Sequence, residues 1–205
     1  MNKFRTAKWL MKHGSQPQVY LFRHLEKGSV VYSQFPRVTK QSLEKGYPRP
    51  CWDNKKPEGR RDLWKLMCLV RTGSHESAVQ LYQNLNRLRY MRDVLYPSQA
   101  QKWRKLNEDK RIWYSGQFRP VYGQEAVADL RESLLKLNLG DSQGSEPPNI
   151  GPVTIFWEDL WRMGNKDTHW QEKDFPFPIQ HEQIPREGNV VREESALIKE
   201  LSNQV

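Results

Sequence analysis

At 205 residues the chain suits one compact domain with extensions or two small ones, yet only 37% of it is hydrophobic and its mean hydropathy is −0.88, which implies a modest core and polar arms that order against a partner. The formal net charge of +9 is uneven: residues 1–125 hold 25 Lys+Arg against 10 Asp+Glu, net +15, and residues 126–205 hold 8 against 14, net −6. A basic front of that size draws polyanions, nucleic acid being the commonest and an anionic membrane the other candidate, and no apolar run approaches the ~20 residues of a membrane span.

The first 25 residues carry Lys3, Arg5, Lys8, Lys12 and Arg23 with no acid, and Trp9, Leu10 and Met11 lie among them. Residues 1–14 therefore read as a short basic arm lying on nucleic acid or as a mitochondrial targeting-like segment. Gln18–His24 (QVYLFRH) and Ser29–Gln34 (SVVYSQ) predict a β-hairpin with its turn at Leu25–Gly28. Val19 and Leu21 on one face and Tyr20 and Phe22 on the other put the first strand centrally in a sheet or under cover on both sides. Thr39–Lys45 predicts a short helix stopped by Gly46, Tyr47 and Pro48. Arg49–Arg61 (RPCWDNKKPEGRR) reads as an extended basic loop, because Pro50 and Pro57 forbid regular structure. Asp62–Arg71 (DLWKLMCLVR) is almost continuously apolar and predicts a central strand.

Ser74 is the expected N-cap of a long helix over His75–Leu95, with Ala78, Leu81, Leu85, Leu88 and Leu95 as its core stripe and Tyr96-Pro97 as its stop. Ser98–Arg111 reads as a surface helix or an arm ordered by a partner. The stretch Trp113–Leu137 divides in two. Trp113–Gly123 reads as a loop presenting aromatic rings and a guanidinium, and a helix follows from Gln124, its inner face set by Val127, Leu130, Leu134 and Leu137. A linker is expected over 138–152, rich in Gly and Pro, then a strand at Val153–Trp157, an irregular Pro-rich segment at Phe175–Pro185 and an acidic helix at Glu193–Leu201 with Ala196, Leu197 and Leu201 inward.

Motifs for chemistry are missing from the sequence. It offers no GxxxxGK[ST], GxGxxG, GxSxG or HExxH, so no nucleotide cofactor, ATPase or catalytic role is expected. Asp129 and Glu132 are three apart, but with Arg131 beside them they read as a solvated helix face rather than a metal site. Cys51 and Cys68 show no zinc-ligand spacing; a disulfide between them stays open, and a buried free thiol is the expected state of Cys68.

What stands out is a repeated interleaving of rings and cations. Trp52 lies with Arg49, Lys55, Lys56, Arg60 and Arg61; Tyr90 with Arg87, Arg89 and Arg92; Trp103 with Lys102, Arg104 and Lys105; and Trp113, Tyr114 and Phe118 with Lys110, Arg111 and Arg119. Lys8 and Lys12 add the N-terminal arm. Cations neutralise phosphates and rings stack on unpaired bases, so these residues form the candidate nucleic-acid-binding set, suited to RNA or unwound DNA. Ordinary capping charge and buried tryptophans are the competing structural explanation.

Six blocks carry a family resemblance: QVYLFRHLEKGSVVYSQFP, RRDLWKLMCLV, LYQNLNRLRYMRDV, WYSGQFRPVYGQEAVADLRESLLK, FWEDLWRMGNKDTHW and VVREESALIKEL. They resemble the fungal mitochondrial homologous recombination proteins, which are also components of the mitochondrial large ribosomal subunit, from about Phe4 to Leu201; segments 138–152 and 171–187 match poorly. The resemblance implies an rRNA-binding structural protein of the mitochondrial ribosome, in the matrix and nucleoid. It also implies ATP-independent pairing of single and duplex mitochondrial DNA in recombination, and a part in transcription. Large-subunit rRNA, neighbouring mitoribosomal proteins and mitochondrial DNA would be the partners. The alternative is a dedicated DNA strand-pairing protein that associates with the ribosome secondarily. The hairpin also resembles the paired-tyrosine hairpin of GIY-YIG endonucleases, but Ser33 and Gln34 after Tyr32 break that motif, so nuclease activity is not expected.

The expected fold is α+β: a small antiparallel sheet of about four strands packed with two main helices, carrying basic N-terminal and loop extensions. Residues 15–137 would form the basic nucleic-acid-binding core, and the acidic segment 153–205 would pack on it with one strand and one helix.

Overall fold

A computed structural model describes residues 4–47, 59–99, 118–137, 151–184 and 190–203, with side chains in the helices 118–137 and 190–203 described from 123 and 196 onward. The hairpin forms where Val, Tyr and Phe crowd: β1 (Gln18–His24) pairs antiparallel with β2 (Val30–Ser33), Tyr20 opposite Ser33 and Arg23 opposite Val30. Gly28 turns the chain between them at φ 64, a left-handed conformation that glycine adopts without strain. β3 (Trp64–Arg71) lies antiparallel on the other side of β1. Leu21 faces Cys68 and Phe22 faces Leu66, so Met67 is the extra residue of a bulge, and Met67 and Cys68 both join the same core cluster. β4 (Val153–Trp157) pairs antiparallel with β3, and β5 (Ile179–Gln183) pairs parallel with β4.

The fold is α+β as expected, but the sheet is mixed and has five strands in the order β2-β1-β3-β4-β5. The added strand lies inside the segment read as irregular. Its sequence, IQHEQ, has no apolar alternation to reveal it, and only backbone bonds define it, flanked by Val153 N–H to Pro178 O (3.0 Å) and Ile184 N–H to Trp157 O (2.8 Å). The segment after residue 152 therefore supplies two strands where one was expected.

Helices α1 (Ala7–Lys12), α2 (Lys40–Gly46) and α3 (His75–Tyr90) are each capped as their sequences dictate, by Thr6, Thr39 and Ser74. Thr39 and Ser42 complete a reciprocal capping box. α4 (Phe118–Leu137) starts six residues before the expected Gln124. Arg119-Pro120 reads as a loop in the sequence, but a proline in the first turn gives up no helical hydrogen bond, so the helix runs back through it. α5 (Lys166–His169) is a single turn, and α6 (Val190–Asn203) is the C-terminal helix.

α3 and α4 cover one face of the sheet. Ala78, Leu81 and Leu85 from α3 and Val127, Leu130, Leu134 and Leu137 from α4 pack with Val19, Leu21, Met67, Ile155 and Trp157. The expected stripe of α3 ends at Leu85: Leu88 is half-buried and Leu95 exposed. A wider π-turn at Met91–Leu95 rotates the chain there, so that Asp93 rather than Leu95 faces inward. The opposite face, with Tyr20, Phe22, Leu66 and Leu69, is covered by Leu43 of α2 and by Leu197, Ile198 and Leu201 of α6; Ala196, expected inward, is exposed. Gln18 Nε2 donates to Leu201 O at 3.0 Å, fastening α6 to β1. Cys68 is a buried free thiol whose pKa burial pushes up.

Candidate nucleic-acid interface

Two groups of the described cations differ in what surrounds them. In the first, each is paired inside the protein. Arg92 reaches from the π-turn after α3 to Asp129 on α4 and lies 3.5 Å from Glu125; Tyr32 OH on β2 donates to the other oxygen of Asp129 at 3.1 Å. Burial raises the Asp129 carboxyl even beside Arg92, and it raises the Tyr32 hydroxyl further. Burial disfavours the charged Arg92, but the adjacent Asp129 outweighs it and holds the guanidinium protonated. Arg89 donates to Val30 O, lies 3.6 Å from Asp93, and sits over the rings of Tyr32 (5.9 Å) and Tyr47 (5.8 Å). Arg89 and Arg92, both expected to contact nucleic acid, are thus turned inward, and they bind α3 to β2 and α4. A helix whose two ends must both dock can use its C-terminal arginines for that. Asp129, expected on a solvated face, is buried, and Glu132 pairs with Lys136 at 3.0 Å.

The second group lies on α1, the turn after β2, and α2. Arg5, Lys8 and Lys12 follow a three-and-four spacing and are exposed, as are Arg37 and Lys40. Gln34 clasps the Arg5 backbone, accepting from its N–H at 2.9 Å and donating to its O at 3.0 Å, so the start of α1 is pinned to the end of β2. Trp9 stacks on His13 at 3.7 Å, meets Phe35 edge-on at 6.1 Å, and carries the Arg5 guanidinium 4.5 Å from its ring centre. Lys45 lies over Phe4 and Tyr82, at 5.9 and 4.8 Å, and burial lowers its pKa. None of Arg5, Lys8, Lys12, Arg37, Lys40 and Lys45 makes an ion pair among the described residues. A surface that gathers cations and leaves them outside ion pairs is suited to meet an external anion.

Of the remaining candidates, Arg60 and Arg61 are exposed at the entrance to β3, with Arg60 bound to Asp62 at 2.6 Å, and Arg87 is exposed on α3. Phe118 and Arg119 open α4, but their side chains lie outside the described residues. So do Arg49, Trp52, Lys55, Lys56, Lys102, Trp103, Arg104, Lys105, Lys110, Arg111, Trp113 and Tyr114. Reasoning from sequence passed over Arg5, Arg37, Lys40 and Lys45. The three-and-four spacing of Arg5, Lys8 and Lys12 is the available signal for Arg5, which lies just before the Thr6 cap of α1. The other three are brought near α1 by contacts distant in sequence: Gln34 with Arg5, Phe35 with Trp9, and Lys45 with Phe4.

Residues 16–99, which span β1, β2, α2, β3 and α3, match the model of a family described as transcriptional regulation of mitochondrial recombination. Over 203 residues the chain is 47% identical to the large ribosomal subunit protein mL67 of Eremothecium gossypii, an alignment covering 99% of this chain and 88% of that one. The chain belongs to the mL67 family. It is also 50% identical over 200 residues to mL67 of Kluyveromyces lactis (97% of this chain, 86% of that one), and 40% identical over 176 residues to mL67 of Candida albicans (86% and 67%). The recombination-family match covers three of the five strands, whereas the mL67 alignments to the first two relatives extend over nearly the whole chain, β4, β5 and α6 included.

Proposed function

We propose that this protein is a structural component of the mitochondrial large ribosomal subunit, binding rRNA through the unpaired basic face of α1 and α2 together with Arg60, Arg61, Arg87 and the basic segments at 49–58 and 102–119. The observation that carries the reading is near-full-length similarity to proteins named for the large ribosomal subunit. The unpaired cations supply the chemistry it needs: each phosphate contact releases counterions, and the affinity gained this way carries no sequence requirement. The role is architectural rather than catalytic, and it places the protein in the mitochondrial matrix beside other subunit proteins.

A second activity is favoured by the recombination description of the family matching residues 16–99. The same basic surface and aromatic-rich segments would hold single-stranded mitochondrial DNA beside a duplex without nucleotide hydrolysis, and would link the protein to the nucleoid and to transcription. The test is sedimentation of mitochondrial lysate at rising salt. Co-migration with the large subunit that resists moderate salt supports the ribosomal role. A protein absent from that fraction and recovered with mitochondrial DNA would make strand pairing its primary work.

A further inference from the structure

Trp161 is the most exposed large apolar side chain among the described residues, at 66%. Its exposure is not that of a loose loop. It stands on the turn Leu160–Met163 directly after β4, and Glu158 N–H donates to Met67 O at 2.9 Å, tying the exit of β4 to β3. Arg162 N–H to Asp159 O (3.0 Å) and Gly164 N–H to Trp161 O (3.2 Å) close the turn, and Trp170 Nε1 donates to Met163 O at 3.0 Å. Met163 points to the core from the same turn, while Trp161 points away from it. The side chain is therefore held out by a fixed backbone.

Beside it lies a cluster of three cations and two carboxylates. The Arg162 guanidinium lies 4.6 Å from the centre of the Trp161 ring. Arg162 is also 3.0 Å from Glu158, which binds Arg23 at 2.6 Å and Lys65 at 3.1 Å; Asp159, 3.7 Å from Arg162, is the second acid. One nearly buried carboxylate thus gathers three cations at the foot of an exposed indole. Among the described residues the apolar surface on this turn is Trp161 with Leu160, 37% exposed, narrower than a broad apolar patch. A flat ring backed by one guanidinium matches a flat, electron-rich base with a phosphate beside it.

We propose that Trp161, backed by Arg162, is a stacking platform for an unpaired nucleobase of RNA, with a flanking phosphate drawn to the Arg162 side of the ring. The platform is separate from the basic face of α1 and α2, and it rests on the RNA-binding reading above. The experiment measures binding of the full-length protein, W161F and W161A to a labelled single-stranded RNA and to a blunt RNA duplex, across a salt series. W161A is expected to weaken single-strand binding roughly tenfold, with duplex binding and the salt slope unchanged, because stacking releases no counterions; W161F keeps most of the affinity. Equal single-strand affinity in W161A and wild type overturns the platform and leaves the RNA-binding reading standing. So does an equal loss on duplex and single strand, or unaltered RNA binding with loss of W161A from large-subunit particles, which would make the occupant a protein. Failure of the wild-type chain to bind any RNA overturns the RNA-binding reading itself.

Discussion

Glu158 is nearly buried, which alone would raise its carboxyl, yet the bonds and charges of Arg23, Arg162 and Lys65 hold its pKa at about 2. A carboxyl depressed from 4.5 to about 2 adds stability that is complete above pH 4.5 and is lost as pH falls toward 2. Glu158→Gln should therefore flatten the acid limb of unfolding in that window, as followed by circular dichroism. His181 acts higher. Burial, then the charge of Lys166, lowers its pKa from 6.5 to about 4, and its Nδ1 accepts from Trp157 Nε1 at 3.0 Å. Its neutral form is favoured in the fold, so stability falls as pH drops from 6.5 to 4, and His181→Gln should remove that slope. The two groups of arginines separate in the same way. Arg92→Ala leaves Asp129 buried without its cation and should cost roughly 2–4 kcal/mol in denaturant unfolding. Replacing Arg5, Lys8 and Lys12 together by Ala should leave the midpoint nearly unchanged and reduce the slope of log affinity for RNA against log salt by about 2.

Elements were legible wherever apolar periodicity dictates them. β1, β2 and β3 read directly because their apolar residues are nearly continuous, and the inner face of α4 read from Val127, Leu130, Leu134 and Leu137, all buried. Leu130 has no exposure, so Leu130→Ala should cost about 2–5 kcal/mol. What the pattern missed has no apolar signature: β5 is polar and backbone-defined, the first turns of α4 carry Pro120, and the π-turn after Tyr90 is set by where Arg89 and Asp93 must dock. Docking also explains Gly46, read in sequence as a helix stop. A Cβ there would lie 2.7 Å from Val31 Cγ1, so α2 can approach β2 only with glycine at that position. Gly46→Ala should destabilise by about 1–3 kcal/mol through overpacking, measurable as a lower urea midpoint.

At the scale of the whole molecule, charge was the most legible property and individual contacts the least. The +15 excess of residues 1–125 announced a polyanion partner, yet counting cations could not tell Arg89 and Arg92, spent on tertiary pairing, from Lys8 and Lys12, left outward. That distinction depends on acids brought from afar: Asp129 is 37 residues from Arg92. Trp161 was equally hidden, because nothing in its local sequence separates an exposed tryptophan from the buried Trp157 and Trp170 beside it. Arg89 and Arg92 are held inward between α3, β2 and α4, whereas Lys8 and Lys12 on α1 and Lys40 on α2 are exposed. The most direct measurement is crosslinking in intact mitochondria, with bound RNA and DNA mapped to peptides of this chain. Large-subunit rRNA attached to peptides covering residues 5–12 and 37–45 is the predicted result. Crosslinks confined to mitochondrial DNA, or rRNA crosslinks that avoid both segments while the protein sits in the subunit, would contradict the assignment of that face.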